Sequence, residues 1–85
     1  MTEKMSLQVR LFSLLREQVG RDSIEVVLPL GASVADLTRA LRVTEPRLTP
    51  FLEVSRIAVN LVFALREQKL SPEDDVALIP PVGGG

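Results

Sequence analysis

The chain has 85 residues, the length of one small domain, and 46% of them are hydrophobic, which excludes a disordered chain. It contains no cysteine and no histidine, which excludes disulfides, thiol nucleophiles, thiolate metal sites and the commonest general base. The net charge is −1 without a basic stripe or a membrane-spanning apolar run, so neither nucleic acid nor a membrane is an expected partner. No signal-peptide pattern opens the sequence, and a cytoplasmic location is therefore expected.

The first segment is predicted to be a strand followed by a short helix. Hydrophobic residues alternate over residues 5–11, the period of a half-buried strand, and Phe12 falls on its polar side. Ser13 is placed to cap a helix over residues 14–19, and Gly20 to end it. An aromatic residue on the polar side is either a cover for the end of the strand or part of an exposed contact surface.

The next segment is predicted to form a second strand and the main helix. Residues 23–28 alternate again and are expected to pair antiparallel with the first strand. Ser33 and Asp36 resemble a capping box, and the helix that they begin, over residues 34–42, carries its hydrophobic residues at helical spacing. Two prolines and mixed polarity over residues 46–55 predict a loop with one helical turn.

Two further strands are predicted in the C-terminal part. Residues 57–60 form the third, with Leu61 continuing its core-facing side, and residues 75–79 form the last. The acidic residues 73–75 are interpreted as a solvated turn, since they lack the spacing of a calcium loop. Long crossovers between few strands favour an α+β fold, a mixed sheet with the first and last strands as parallel neighbours at its centre.

Four hydrophobic residues fall on the faces of their strands opposite the core: Phe12, Phe63, Ala77 and Ile79. If their strands are neighbours, one face of the sheet carries an uncovered hydrophobic patch, which is typical of a partner surface. The alternative, that residues 46–55 cover this face, is equally open.

The end of the chain, residues 80–85, reads Pro-Pro-Val-Gly-Gly-Gly. Proline stops the strand, and glycine has no side chain to clash in a narrow channel. The alternative is a frayed terminus. Activation by ATP would make the terminal carboxyl group reactive toward a sulfur or amine nucleophile. Because six residues span at most ~20 Å, the tip could enter a partner's active site. We assign residues 1–79 to one domain and residues 80–85 to a flexible tail.

Five stretches match one known family: Val9-Arg10-Leu11-Phe12, Leu15-Arg16-Glu17 with Gly20, Ser33-Val34-Ala35-Asp36-Leu37, Ile57-Ala58-Val59-Asn60, and the ending from Asp75 to Gly85. In these residues the chain resembles the small subunits of molybdopterin synthase, within the ubiquitin-like β-grasp sulfur carriers. The resemblance implies a β-grasp fold, a mixed sheet with one main helix packed on one face and a flexible Gly-Gly tail.

The resemblance also implies a chemistry for the C-terminus. Gly85, next to Gly84, would be adenylated by an E1-like adenylyltransferase that uses ATP, and a sulfurtransferase would help to convert it to a thiocarboxylate. The sulfur would then be donated to precursor Z (cyclic pyranopterin monophosphate) in molybdenum cofactor biosynthesis. The chain would thus be a non-catalytic subunit and a sulfur-donating co-substrate, with no bound cofactor or metal.

The partner that the resemblance implies is the large subunit of molybdopterin synthase, in a heterotetramer of two small and two large subunits. Alternatives are a sulfur carrier for thiamine or cysteine biosynthesis and a ubiquitin-like protein modifier. The residues expected at the partner interface are Phe12, Arg16, Phe63, Ile79, Pro80, Pro81, Val82 and Gly83.

Overall fold

The structure, a computed structural model, describes residues 3–81. Within these residues, strands and helices alternate through the first half of the chain, and short elements follow. In chain order they are β1 (Lys4–Leu11), α1 (Ser13–Val19), β2 (Ser23–Pro29), α2 (Val34–Thr44), a 3₁₀ turn (Pro46–Leu48), α3 (Thr49–Leu52), β3 (Arg56–Val59), β4 (Val62–Phe63) and β5 (Val76–Ile79).

The five strands form one mixed sheet in the order β2-β1-β5-β3-β4. β1 pairs antiparallel with β2 and parallel with β5, and β5 pairs antiparallel with β3. A parallel pair requires a long crossover, and here the crossover contains all of the elements between β1 and β5. The prediction that the first and last strands are parallel neighbours within a mixed sheet is confirmed.

The hydrophobic core lies between one face of the sheet and the helices. The strands contribute alternating residues, as their period of two predicts. Leu48 and Leu52 are also buried in this core. Residues 46–55, predicted as a loop, therefore pack on the helix side of the sheet through the 3₁₀ turn and α3. The alternative that they cover the opposite face is wrong.

The main helix α2 begins at the predicted capping box. The Asp36 N–H donates to Ser33 Oγ at 3.2 Å, and the Ser33 N–H donates to Asp36 Oδ2 at 2.9 Å. Val34, Leu37 and Leu41 are its buried residues, one face at helical spacing. α2 continues two residues beyond its predicted end at residue 42, because the residue before Pro46 is the first that the proline disfavours in the helical conformation.

The start of α1 differs from the prediction. Phe12 rather than Ser13 occupies the N-cap position, and no side chain caps the helix. Phe12 keeps an extended backbone (φ −128°, ψ 153°), so it continues the direction of β1, and the helix turns only at Ser13, whose φ is +49°. The predicted stop is confirmed: Gly20 has φ +79°, and its N–H donates to the Arg16 carbonyl at 2.7 Å. None of the helices of residues 3–81 is long and apolar enough to cross a membrane.

Candidate functional site

The face of the sheet that points away from the helices is concave, with small side chains at its centre and larger ones at its margins. Ala77 of β5 lies between Arg10 of β1 and Ala58 of β3, and Ala58 pairs in turn with Phe63 of β4. Alanine has a single methyl group as its side chain, so the centre of this row of four residues is shallow. The row leaves a depression of about 230 Å³ on this face.

The depression is hydrophobic, and its margin carries one ion pair. Arg10 Nη2 lies 3.2 Å from Asp75 Oδ2, and both residues line the depression. The prediction that Phe12, Phe63, Ala77 and Ile79 share an uncovered face is confirmed. We call the hydrophobic lining the apolar patch; it consists of Phe12, Ala58, Leu61, Phe63, Ala77 and Ile79.

Two arginines lie over the two phenylalanines of the apolar patch. The guanidinium carbon of Arg10 is 5.4 Å from the ring centroid of Phe12, and that of Arg56 is 3.9 Å from the ring centroid of Phe63. A cation over an aromatic face is attracted by the ring quadrupole, which orients the guanidinium. Within residues 3–81 Arg56 forms no ion pair. Its charge is therefore available to a partner at the margin of the apolar patch.

The turn between β3 and β4 presents Leu61 to solvent. Asn60 and Leu61 both have positive φ angles, +53° and +71°, which is the backbone of a two-residue hairpin turn. Asparagine tolerates this conformation, whereas a leucine pays a steric cost for it. The prediction that Leu61 continues the core-facing side of the strand is wrong, because this turn reverses the chain and leaves the residue 84% exposed.

Hydrogen bonds hold this turn against the start of β5. The Asn60 N–H donates to the Asp75 carbonyl at 2.7 Å, and the Asp75 N–H donates to Asn60 Oδ1 at 2.9 Å. Asn60 Nδ2 also donates to Asp74 Oδ1 at 3.0 Å, and Asp74 Oδ2 accepts the Ser71 N–H at 2.7 Å. One carboxylate of the acidic turn, that of Asp74, and the backbone of Asp75 thus fix the chain that borders the apolar patch.

β5 leads from the apolar patch directly into the end of the chain. Its last residue, Ile79, lines the patch and lies opposite Arg56 in the β3–β5 register. Pro80 follows half-buried and Pro81 exposed. The remaining predicted residues, Val82, Gly83, Gly84 and Gly85, lie outside the described residues.

Arg16 is the one described residue of the predicted interface that lies apart from this group. It belongs to α1, and its Nη1 is 3.9 Å from Asp22 Oδ1. It does not line the apolar patch. The structure therefore brings together Phe12, Phe63 and Ile79, with Pro80 and Pro81 following, but not Arg16.

The carboxyl groups with perturbed pKa values serve the helix starts rather than the apolar patch. Hydrogen bonding from the Ser33 backbone, with help from Arg39, holds the pKa of Asp36 below its ordinary value. The side chain of Arg47 lowers the pKa of Glu45 in the same way, beside the 3₁₀ turn. What the open face offers is an apolar surface with charged margins, which suits the docking of a protein.

Comparison with known proteins places most of this chain in one family. The profile of the ThiS family matches residues 9–85. The molybdopterin synthase sulfur carrier subunit of Dictyostelium discoideum is 41% identical over 81 residues, which cover 92% of this chain and 94% of that protein.

Two solved structures share the fold over nearly the whole chain. SAMP1 from Haloferax volcanii superimposes with a TM-score of 0.81 at 28% identity, covering 94% of this chain and 99% of that one. A chain of the protein–protein complex of subunits 1 and 2 of molybdopterin-converting factor from Helicobacter pylori superimposes with a TM-score of 0.68 at 26% identity, covering 95% of this chain and 100% of that one.

Proposed function

Since this chain belongs to the ThiS family, we propose that it is the sulfur carrier subunit of a molybdopterin synthase. Its C-terminal Gly85 would carry the sulfur as a thiocarboxylate and donate it to precursor Z. The ending Pro80-Pro81-Val82-Gly83-Gly84-Gly85 supports this, together with the 41% identity to a subunit of that name.

The observation that carries the proposal is the position of Ile79. This residue is both the end of the central strand β5 and part of the apolar patch, so a protein docked on the patch lies beside the point where the tail leaves the sheet. The six residues from Pro80 to Gly85 span at most ~20 Å when extended. A docked partner could therefore hold the terminal carboxyl group in its own active site.

The chemistry needs no acid or base from this chain. The Gly85 carboxylate is ionised at neutral pH and attacks the α-phosphorus of ATP, so that pyrophosphate leaves and an acyl-adenylate remains. A hydrosulfide equivalent then attacks the acyl carbon, and AMP leaves with the carbon–oxygen bonding electrons. The thiocarboxylate sulfur attacks a carbon of the pterin precursor, and an oxygen substituent leaves that carbon with its bonding electrons. Water then cleaves the acyl carbon–sulfur bond, which leaves the sulfur on the precursor and regenerates the Gly85 carboxylate.

The proposal requires three partners. An E1-like adenylyltransferase activates Gly85, a sulfurtransferase supplies the sulfur, and the large synthase subunit binds precursor Z and the tail. The large subunit is the one that we place on the apolar patch, in a heterotetramer of two small and two large subunits. The complex of subunits 1 and 2 from Helicobacter pylori supports a large-subunit partner. The use of ATP fits a cytoplasmic location.

The test is reconstitution with the large synthase subunit of the same organism. Light scattering after gel filtration should give a complex of two small and two large subunits, and the thiocarboxylated chain should convert precursor Z to molybdopterin in it. A chain that ends at Gly83 should still bind through the apolar patch but form no product. Failure of the full chain to bind, or product from the shortened chain, would overturn the proposal.

A second candidate is a ubiquitin-like protein modifier. The similarity to SAMP1, a small archaeal modifier protein, favours it. Such a modifier uses the same activated C-terminus, but an amine replaces sulfur as the nucleophile. Isopeptide-linked adducts between Gly85 and lysines, found by mass spectrometry of cell extracts, would support this candidate, and their absence alongside a thiocarboxylate would exclude it.

A further inference from the structure

A second concave surface lies on the helix side of the sheet, between α2 and β3. It encloses about 590 Å³. Its floor is made of buried or half-buried aliphatic residues from α2, α3, β3 and the segment after β4. Four exposed arginines line it as well, and we call this surface the basic groove; the arginines are Arg39, Arg42, Arg56 and Arg66.

The basic groove concentrates positive charge in a chain whose net charge is −1. It holds four of the ten basic residues and one acidic lining residue, Glu53. Arg39 pairs with Asp36, whereas Arg42, Arg56 and Arg66 form no ion pair within residues 3–81. Three guanidinium groups are therefore available to an anionic ligand.

The backbone of the basic groove offers nothing to a phosphate group. Phosphates bind at helix N-termini through unpaired N–H groups. At the start of α2, the N–H groups of Val34 and Ala35 donate to the carbonyls of Gln68 and Arg66 at 2.9 and 3.0 Å. The next two N–H groups donate to Ser33, one to its side chain and one to its carbonyl. The donors that remain are the side-chain guanidinium groups and the Ser55 hydroxyl, above an aliphatic floor.

These features fit an acidic polypeptide segment. Carboxylates of the segment can form bidentate pairs with the guanidinium groups, and its aliphatic side chains can contact the floor of the groove. Ser55 Oγ, which lies in the lining, is buried and has no hydrogen-bond partner among the described residues. A polypeptide backbone that crosses the groove supplies N–H and carbonyl groups for such an atom.

We propose that the basic groove binds an acidic segment of the same protein that covers the apolar patch. Arg56 connects the two surfaces, because it lines the basic groove and its guanidinium stacks on Phe63 of the apolar patch. A partner on the open face can therefore continue around the edge strand β4 into the groove. The identity of this partner as the large synthase subunit rests on the function proposed above.

The first arm of the test is a titration of the ¹⁵N-labelled chain with synthetic peptides, followed by NMR. One peptide alternates glutamate and leucine, and its control carries glutamine in place of glutamate. The acidic peptide should shift the amides of residues 34–42, 52–57 and 64–66 in a saturable way, and the glutamine peptide should not. The double variant R42E/R66E should lose these shifts. The matched variant K4E/R21E, with the same charge change away from the groove, should keep them.

Three results of this arm would overturn the proposal. Equal shifts from both peptides would mean that the groove does not select a peptide by its negative charge. Equal loss in both double variants would mean that only net charge matters. Tighter binding of ATP or inorganic phosphate at the same amides would make the ligand a phosphate compound instead of a polypeptide.

The second arm measures the affinity for the large synthase subunit at low and high salt. R42E/R66E should weaken binding by about tenfold at low salt and reduce its salt dependence, since rim charges act through screened pairs. K4E/R21E should bind like the unmodified chain. Unchanged affinity of R42E/R66E would overturn the placement of this partner. If the unmodified chain does not bind the large subunit, the proposed function fails, while the peptide titration still decides whether the groove takes an acidic segment.

Discussion

The guanidinium carbon of Arg56 lies 3.9 Å from the ring centroid of Phe63, so the positive charge sits over the face of the aromatic ring. This contact lies where three features meet. Phe63 belongs to the apolar patch, Arg56 lines the basic groove, and Arg56 also lies opposite Ile79, the last residue before the tail. Stacking orients the guanidinium before a partner arrives, which lowers the entropy lost on binding.

Replacement of Phe63 by serine tests the apolar patch. A large aromatic side chain that becomes buried in an interface is a typical hot spot, so Phe63→Ser should weaken binding of the large synthase subunit by about 2 kcal/mol, or roughly 30-fold. Isothermal titration calorimetry measures this. Leu65→Ser is the control, because Leu65 is also exposed but does not line the patch. Equal losses in the two variants would show that the patch is not the docking surface.

Replacement of Leu61 by glycine should change stability and binding in opposite directions. Glycine adopts positive φ without steric cost, so Leu61→Gly should raise the free energy of unfolding by about 1 kcal/mol. It also removes an exposed side chain from the apolar patch, so binding of the large subunit should weaken. Urea unfolding and calorimetry on the same variant check both effects. A destabilised variant, or one that binds unchanged, would contradict this interpretation of Leu61 as a residue kept for contact at a cost in stability.

The capping box of α2 gives a stability prediction with an internal control. Ser33→Ala removes the acceptor for the Asp36 N–H and should cost about 1 kcal/mol in urea unfolding. Ser13→Ala should cost less than about 0.5 kcal/mol, because α1 has no side-chain cap to lose. Comparable losses at the two serines would contradict the assigned caps.

The pKa of Asp36 predicts how stability depends on pH. Hydrogen bonding from the Ser33 backbone lowers this pKa in the folded state, so the unfolded chain binds the proton more readily. The stabilisation is therefore complete above the ordinary carboxyl pKa of about 3.9 and is lost as the pH falls through the lower folded value. Urea unfolding across this range should show the difference between the unmodified chain and Asp36→Asn shrinking in acid. A difference that stays constant with pH would show that ionisation of Asp36 does not contribute to the free energy of unfolding.

Much of the fold follows from local patterns in the sequence. The alternation in β1 and β2, the capping box at Ser33 and the stop at Gly20 each act within a few residues, and all three predictions are confirmed. The same alternation places Phe12 and Arg10 on one side of β1. It could therefore have identified Arg10 at the margin of the apolar patch as well.

Other features depend on contacts between distant parts of the chain. Leu61 looks like a core residue in the alternation of β3, and only the tight turn at Asn60 and Leu61, which hydrogen bonds to Asp75 hold in place, directs it outward. The position of Arg56 beside both surfaces depends on its pairing with Ile79 and on its contact with the Phe63 ring. Neither contact can be seen in a local sequence pattern. The packing of residues 46–55 on the helix side likewise depends on where Leu48 and Leu52 find the core.

The central claim is that the last residue of this chain carries sulfur. The most direct measurement is the intact mass of the chain after incubation with ATP, its activating enzyme and a sulfur source. We predict the mass gain of one sulfur replacing one oxygen on the full chain, localised to Gly85 by fragmentation, and no gain on a chain that ends at Gly84. An unchanged mass of the full chain, with an activating enzyme that is active on another carrier, would contradict the claim.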